Sequence, residues 1–326
     1  MPHTLAILVF DGVQILDVTG PAAVFGGAND CCGQTFYDVH IVSARGGTVA
    51  SSCAAQLSTR ALRTLPPDSV DILLIAGGDE NDLRRLAGDR TVADWVRKAA
   101  ASASRYGSIC TGAFLLAELG LVDGRRVATH WSACRELEAD FPEVEVDADS
   151  LFVEDGNLWT SAGVTTGIDM CLAMVERDLG SRFANRIAAR LVLYARRPGY
   201  QSQFSPVLKA QAKAGAPFGK LVDWMAANLQ QPLDVPQLAE RAAMSERSFY
   251  RKFTAAMGET PARFVEVLRL ERVRQLLATG RSLKEIAGQT GFSGTTQLSK
   301  AFERRFGVTP QLFRETRAVE RPAAYG

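Results

Sequence analysis

The residues best suited to chemistry lie in "RYGSICTGAFLLAELGLVDGRRVATHW", Arg105 to Trp131. Cys110 stands where an apolar run ends and a helical pattern begins, an elbow at which Gly112 gives the backbone and the packed helix room. A thiol at a helix N-terminus meets unpaired amides and the positive end of the helix dipole. Both favour thiolate, and the same amides could stabilise an oxyanion. His130, after the short run "RRVATH", is placed to approach the sulfur from the next loop. Asp17, in "FDGVQILDVTGP", follows the first apolar run, and "AGG" (Ala76 to Gly78) ends another, offering the amides of Gly77 and Gly78 to a ligand. Asp17, Gly77, Gly78, Cys110, Thr111 and His130 together make a candidate small-molecule site. An ordinary role competes at several of them: an inert buried thiol, a packed imidazole, a helix-capping aspartate.

The elements that must position these residues are short apolar runs alternating with helical stretches. "TLAILVF" (Thr4 to Phe10), "DVHIVSA" (Asp38 to Ala44), "DILLIAGG" (Asp71 to Gly78) and "RYGSIC" (Arg105 to Cys110) read as strands, and segments such as "DRTVADWVRKAAAS" read as helices. Strands apolar on both faces, separated by helices, predict an α/β domain with a parallel sheet covered on both sides. The carboxyl ends of these strands would open on one edge, where ligands of such sheets bind. "NLWTSAGVTTGIDMCLAMVERDLG" repeats the pattern of strand, Gly-containing turn and helix.

A chain of 326 residues is long enough for two or three domains, and 47% hydrophobic residues suffice to bury large cores. Six cysteines without C-x-x-C spacing, beside three histidines, predict neither a disulfide framework nor a metal site, and no cofactor motif is present. The early apolar run Leu5 to Phe10 ends at Asp11, too short for a signal peptide or a membrane span, so a cytoplasmic protein is expected. The net charge of +1 conceals a division. Residues 218–326 hold 17 Lys and Arg against 11 Asp and Glu, whereas residues 1–217 hold 20 against 25. The C-terminal part is the one suited to a polyanion.

That part contains a repeat. "LAERAAMSERSFYRKFTAAMGETPARF" (Leu238 to Phe264) matches "IAGQTGFSGTTQLSKAFERRFGVTPQLF" (Ile286 to Phe313), with Phe253, Gly258 and Thr260-Pro261 matched by Phe302, Gly307 and Thr309-Pro310. In the first copy Asp234 caps a helix with Leu238, Ala239 and Ala242 inward. A break at Ala243-Met244 follows, and Ser245 caps a second helix that buries Phe249 and Phe253. Arg247, Ser248, Tyr250 and Arg251 are left to face outward. In the second copy Ser282 begins a helix, Gly291 allows the turn, and Phe292, Leu298 and Phe302 fill the core, leaving Thr295, Thr296, Ser299 and Lys300 outside. This is helix-turn-helix geometry, in which early residues of the second helix meet base edges in the major groove of double-stranded DNA. Thr260 and Pro261 open a long helix between the copies, which would set two recognition helices in grooves about 34 Å apart.

The region 218–316 resembles the AraC/XylS family of transcriptional regulators, most specifically in "GFSGTTQLSKAFERRFGVTPQLFR". The resemblance implies a double helix-turn-helix domain that activates transcription beside RNA polymerase. The Thr295-Thr296 pair departs from the longer hydrogen-bonding side chains frequent there. Residues 1–195 resemble ThiJ/PfpI-type, class I glutamine-amidotransferase-like domains, in the form fused to AraC-type domains in GlxA-like regulators. This implies a flavodoxin-like fold, a reactive cysteine at Cys110, dimerisation through the α/β domain, and a small nitrogen-containing effector of the amino acid, amine or quaternary ammonium class. Amidotransferases place a glutamate two residues after the histidine, but Ser132 stands there. Protease-like relatives carry histidine directly after the cysteine, but Thr111 stands there. Asp17, Cys110 and Thr111 nevertheless resemble the active-site trio of isonitrile hydratases.

The expected organisation is therefore an α/β sensing domain (1–195), a linker (196–217), an all-α double helix-turn-helix domain (218–316) and a tail (317–326). The expected function is a metabolite-controlled, DNA-binding regulator rather than an enzyme. Two alternatives are a cysteine-dependent hydratase or hydrolase carrying a DNA-binding appendage, and a constitutive DNA-binding protein with an inert dimerisation domain.

Overall fold

The computed structural model describes residues 2–193, 196–197, 199, 203, 216–277, 279–306 and 308–318. The chain divides into two compact units, Met1–Gln203 and Phe204–Gly326. Most of the expected linker, Gly307 and all of the tail beyond residue 318 lie outside the described residues.

The first unit is a doubly covered sheet. Its strands are β1 (His3–Leu8), β2 (Tyr37–Ser43), β3 (Gly47–Ala50), β4 (Gln56–Ala61), β5 (Ile72–Ile75), β6 (Arg105–Ile109), β9 (Phe152–Asp155) and β10 (Leu158–Ser161), with β7 (Arg126–Val127) and β8 (Glu145–Val146) paired apart from them. The order across the main sheet is β3-β4-β2-β1-β5-β6-β10-β9. Its six inner strands run parallel, and β3 and β9 close the two edges antiparallel. The expected strands are present at β1, β2, β5 and β6. The antiparallel edges carry no continuous apolar run, since each edge strand has exposed positions.

Burial explains why the central strands read as unbroken apolar runs. Leu5 and Ile7 of β1, with Ile72 and Leu74 of β5, belong to a core covered by α1 (Ile15–Cys32), α6 (Thr165–Leu179) and α7 (Ser181–Arg190). Ala6, Leu8, Leu73 and Ile75 face the opposite core, beneath α2 (Glu80–Gly88), α3 (Arg90–Ser102), α4 (Ala113–Glu118) and α5 (Cys134–Asp140). Successive side chains point to opposite faces, so a sheet covered twice needs apolar residues at every position. At Gly107 of β6 an added Cβ would lie 1.6 Å from the Trp159 carbonyl oxygen of β10, so the parallel pairing there requires glycine.

The second unit is helical: α8 (Ala216–Ala227), α9 (Val235–Arg241), α10 (Glu246–Met257), α11 (Pro261–Leu277), α12 (Leu283–Thr290), α13 (Thr295–Phe306) and α14 (Pro310–Ala318). The expected caps are in place. Asp234 accepts from the Gln237 amide at 3.0 Å, Ser245 from Ser248, and Ser282 forms a capping box with Glu285. Phe218, Phe249, Phe253 and Phe264 meet edge to face or tilted in one core, and Phe302, Phe306 and Phe313 in another. Helix α11 belongs to both: Phe264, Val265 and Leu268 enter the first core, and Leu270, Val273, Leu276 and Leu277 the second. Inside it, Arg274 donates to Glu271 at 2.7 Å while its guanidinium lies over the Phe306 ring.

The two turns differ at one matched residue. Gly291 holds a left-handed conformation (φ 73°) between α12 and α13, and its counterpart Ala243 holds the same region (φ 53°) between α9 and α10. A Cβ in that region costs about 1–2 kcal/mol, part of which glycine returns through its freer unfolded chain. Ala243→Gly should therefore stabilise the second unit by about 0.5–1 kcal/mol. The shift is measurable as a higher denaturant midpoint, and an unchanged or lower midpoint would contradict the reading.

Candidate functional site

Asp17 sits in the first turn of α1 and is fully buried, yet it is surrounded by loops from distant parts of the chain. One carboxylate oxygen accepts from the Val164 amide at 2.6 Å and the other from the Gly77 amide at 3.2 Å. The Cys110 thiol lies beside the same carboxylate and interacts with it electrostatically. The loops after β1, β5, β6 and β10 thus converge on one group, at the carboxyl ends of adjacent parallel strands.

The elbow at Cys110 is strained. Its φ is 58°, in the left-handed region that residues with a Cβ avoid, and a single 3-10 turn over Cys110–Gly112 leads into the short helix α4. Neighbouring glycines make the approach of chains possible. An added Cβ would lie 2.7 Å from the Cys110 Cβ at Gly77, 2.3 Å from the Ile75 carbonyl oxygen at Gly112, and 2.2 Å from the Cys110 Cβ at Gly163. Gly163 also has φ 84°, so glycine is required there twice over. Thr111 closes the arrangement: its hydroxyl donates to the Gly78 carbonyl at 2.7 Å and accepts from the Gly78 amide at 2.9 Å.

Three expectations change. First, the thiolate does not follow from the helix terminus. Burial pushes the Cys110 thiol up to about 12, and the Asp17 carboxylate beside it adds to the rise. Against them α4 is only six residues long, so its dipole is weak. Second, the amides of Gly77 and Gly78 are engaged by Asp17 and Thr111 rather than left open for a ligand. Third, the His130 ring is engaged within its own loop. Its Nδ1 lies 2.7 Å from the Ser132 hydroxyl, its ring is tilted beside Trp131, and burial lowers its pKa. The neighbour Thr129 reaches the elbow instead, donating from Oγ1 to the Cys110 carbonyl at 2.9 Å.

Thr129, Gly163 and Val164 are the site residues that sequence reasoning missed. The Gly-containing turn in "SAGVTTG" was a usable signal for the last two, because a turn after a parallel strand belongs on the ligand edge. Nothing in "VATHW" marks the threonine above the histidine.

In the second unit the expected DNA-facing residues lie on the second helix of each pair. Arg247, Tyr250 and Arg251 of α10 are exposed, as are Thr295, Thr296 and Lys300 of α13. Ser248 and Ser299 are half-buried, and the Ser248 amide is engaged by the cap at Ser245. Lys252, exposed beside Arg251, adds a cation not singled out from the sequence. Arg269 of α11 donates to the carbonyls of Leu229 at 3.2 Å and Gln231 at 2.7 Å. Gly291 packs against the same carbonyl and guanidinium, so an added Cβ there would lie 2.1 Å from the Leu229 oxygen. The two helix pairs are thereby locked to one connecting helix.

Burial is the larger influence on Asp17, raising its pKa to about 6 against the lowering effect of the two amides and the thiol. An unfolded aspartate titrates near 3.8, so between about pH 4 and 6 the folded state holds a proton that the unfolded state has lost. Stability from this group accordingly falls as pH rises through that window, by up to about 3 kcal/mol. Relative to Asp17→Asn, the denaturant midpoint of the wild-type protein should decline from pH 4 to pH 6, and parallel curves would refute the assignment.

Residues 3–177 match the model of the DJ-1/PfpI family, and residues 238–316 match that of a helix-turn-helix domain. The HTH-type transcriptional regulator GbdR of Pseudomonas aeruginosa is 29% identical over 323 residues, covering 98% of this chain and 86% of that protein. The HTH-type transcriptional regulator CdhR of Pseudomonas aeruginosa is 31% identical over 290 residues, covering 88% and 84%. Among solved structures, a ThiJ/PfpI family protein from Pseudomonas syringae superposes with a TM-score of 0.54 at 26% identity, over 70% of this chain and 87% of that one. No helix among the described residues is long and apolar enough to cross a membrane. A family match spanning more than half of the chain, followed by capped and duplicated helix pairs, places this protein in the DJ-1/PfpI family, in the form that carries an AraC-type helix-turn-helix domain after the α/β unit.

Proposed function

We propose that this chain is a sequence-specific DNA-binding transcriptional regulator, an activator that works beside RNA polymerase in the cytoplasm. In this reading its α/β unit senses a small nitrogen-containing metabolite of the amino acid, amine or quaternary ammonium class. The observation that carries it is the duplicated helix pair on one shared helix, with Arg247, Tyr250 and Arg251 exposed on one second helix and Thr295, Thr296 and Lys300 on the other. Basic and hydroxyl side chains at those places suit phosphate and base-edge contacts in successive major grooves. GbdR and CdhR, which share most of the length of this chain, are named as HTH-type transcriptional regulators, and that supports the same role here.

In this reading the metabolite binds where Asp17, Gly77, Gly78, Cys110 and Thr111 converge, with His130 on the adjoining loop. A neutral thiol beside a carboxylate suits recognition better than nucleophilic attack, which requires thiolate. The effector acts by binding the DNA-competent state more tightly than the idle one. A homodimer formed through the α/β unit would set two double motifs on repeated half-sites.

Two measurements test this reading. Arg251→Ala should weaken specific binding in footprint titrations by about 1–3 kcal/mol and relax preference at one base pair; an unchanged footprint and affinity would remove Arg251 from the interface. Cys110→Ala should leave the metabolite response of a reporter promoter in place but shift it to a higher effector concentration, because the thiol lines the site without being consumed; the effector is found by thermal-shift screening of amino acids, amines and quaternary ammonium compounds. Loss of the response together with loss of a measurable turnover would establish the cysteine-dependent enzyme instead.

A further inference from the structure

The last described residues of the first unit are held against the cysteine site at two places. At the first, Arg197 closes on helix α6. Its backbone amide donates to Asp169 Oδ1 at 3.0 Å, its Nε and Nη2 donate to Asp169 Oδ2 at 2.9 and 2.6 Å, and Nη2 also reaches the Thr165 hydroxyl at 2.8 Å. Thr165 begins α6 directly after Val164, whose amide holds Asp17. At the second, the Gln203 side-chain amide donates to the Thr129 carbonyl at 2.9 Å and to the Ser150 carbonyl at 3.1 Å, and its backbone amide donates to Asp149 at 2.8 Å. Thr129 is the residue whose hydroxyl holds the Cys110 carbonyl. Between these grips the Gly199 carbonyl accepts from the amides of Leu151 and Phe152, with no room for a side chain against Phe152.

We infer that Arg197, Gly199 and Gln203 act together as a strap that couples the state of the Asp17–Cys110 site to the chain leading on to the second unit. Each grip adjoins a group that contacts the site: Thr165 follows Val164, and the Thr129 carbonyl belongs to the residue whose hydroxyl holds the Cys110 carbonyl. A ligand that shifts the Val164 amide or the Cys110 carbonyl therefore moves a strap anchor directly. Among the described residues the buried Gln203 Oε1 has no hydrogen-bond partner.

The regulatory meaning of the strap rests on the sensor reading above, but coupling is testable without effector or DNA. Coupling between sites is reciprocal, so each end must respond to a change at the other. In the full-length protein, Gln203→Ala should raise the rate of Cys110 labelling by N-ethylmaleimide, read on its own peptide by mass spectrometry, at least about fivefold. Thr129→Val, which removes the hydroxyl but leaves the carbonyl, should raise hydrogen exchange at the Leu151, Phe152 and Gln203 amides by a similar factor. Thr129→Ser, which restores the hydroxyl, should return exchange to the wild-type rate and separates coupling from a packing defect. Arg196→Ala, which loosens the strap from Glu176 and Asn185 without touching either grip, should leave Cys110 labelling unchanged. Cys110 labelling within twofold of wild type in Gln203→Ala would overturn the inference, whether or not the strap amides exchange faster. So would equal exchange in Thr129→Val and Thr129→Ser. Failure of these arms leaves the sensor reading standing, and failure to find an effector leaves the coupling standing.

Discussion

A single buried carboxylate organises the first unit. Asp17 draws together the loops after four strands, and each of its bonds spans a long stretch of sequence, 147 residues in the case of Val164. Burying that group is costly, and two backbone amides and a thiol offset only part of the cost, which is why its proton affinity remains raised. The arrangement is possible only because the chains can approach so closely. Gly77, Gly112 and Gly163 lie where a Cβ would collide with the elbow or with the strand end beneath it. The left-handed backbone at Cys110 is held by this enclosure and not by any preference of the cysteine itself.

The same enclosure determines the character of the sulfur. In an open position at the start of a long helix, a thiol would lose its proton readily. Here α4 is short, the carboxylate is adjacent and the thiol is buried, and burial and the carboxylate keep the proton on sulfur. An elbow geometry shared with nucleophiles therefore carries a thiol held in its neutral form.

The second unit rests on a different constraint. A helix pair of this size has too little apolar surface to hold its recognition helix rigidly, and here both pairs share the buried faces of α11. Arg269 ties the loop before the first pair to the turn of the second, and the Glu271–Arg274 pair sits within the shared helix. Two readers on one rigid connector are suited to a single composite site.

Sequence alone determined the elements governed by local periodicity. Alternating apolar runs announced a sheet covered on both faces, and repeated serines, phenylalanines and turn residues announced the duplicated helix pair, down to its caps at Ser245 and Ser282. Candidate site residues were legible as far as the strand ends that carry them: Asp17, Gly77, Gly78, Cys110 and Thr111 do meet. Tertiary structure decided which atoms face which. It gave the elbow Thr129 in place of His130, brought Val164 to Asp17, and closed the glycine amides upon side chains instead of leaving them open. Periodicity reports the face a residue occupies, because burial repeats with the backbone. Hydrogen-bond partners depend on ångström-scale approach between segments far apart in sequence, which only strand order and the absence of particular Cβ atoms establish.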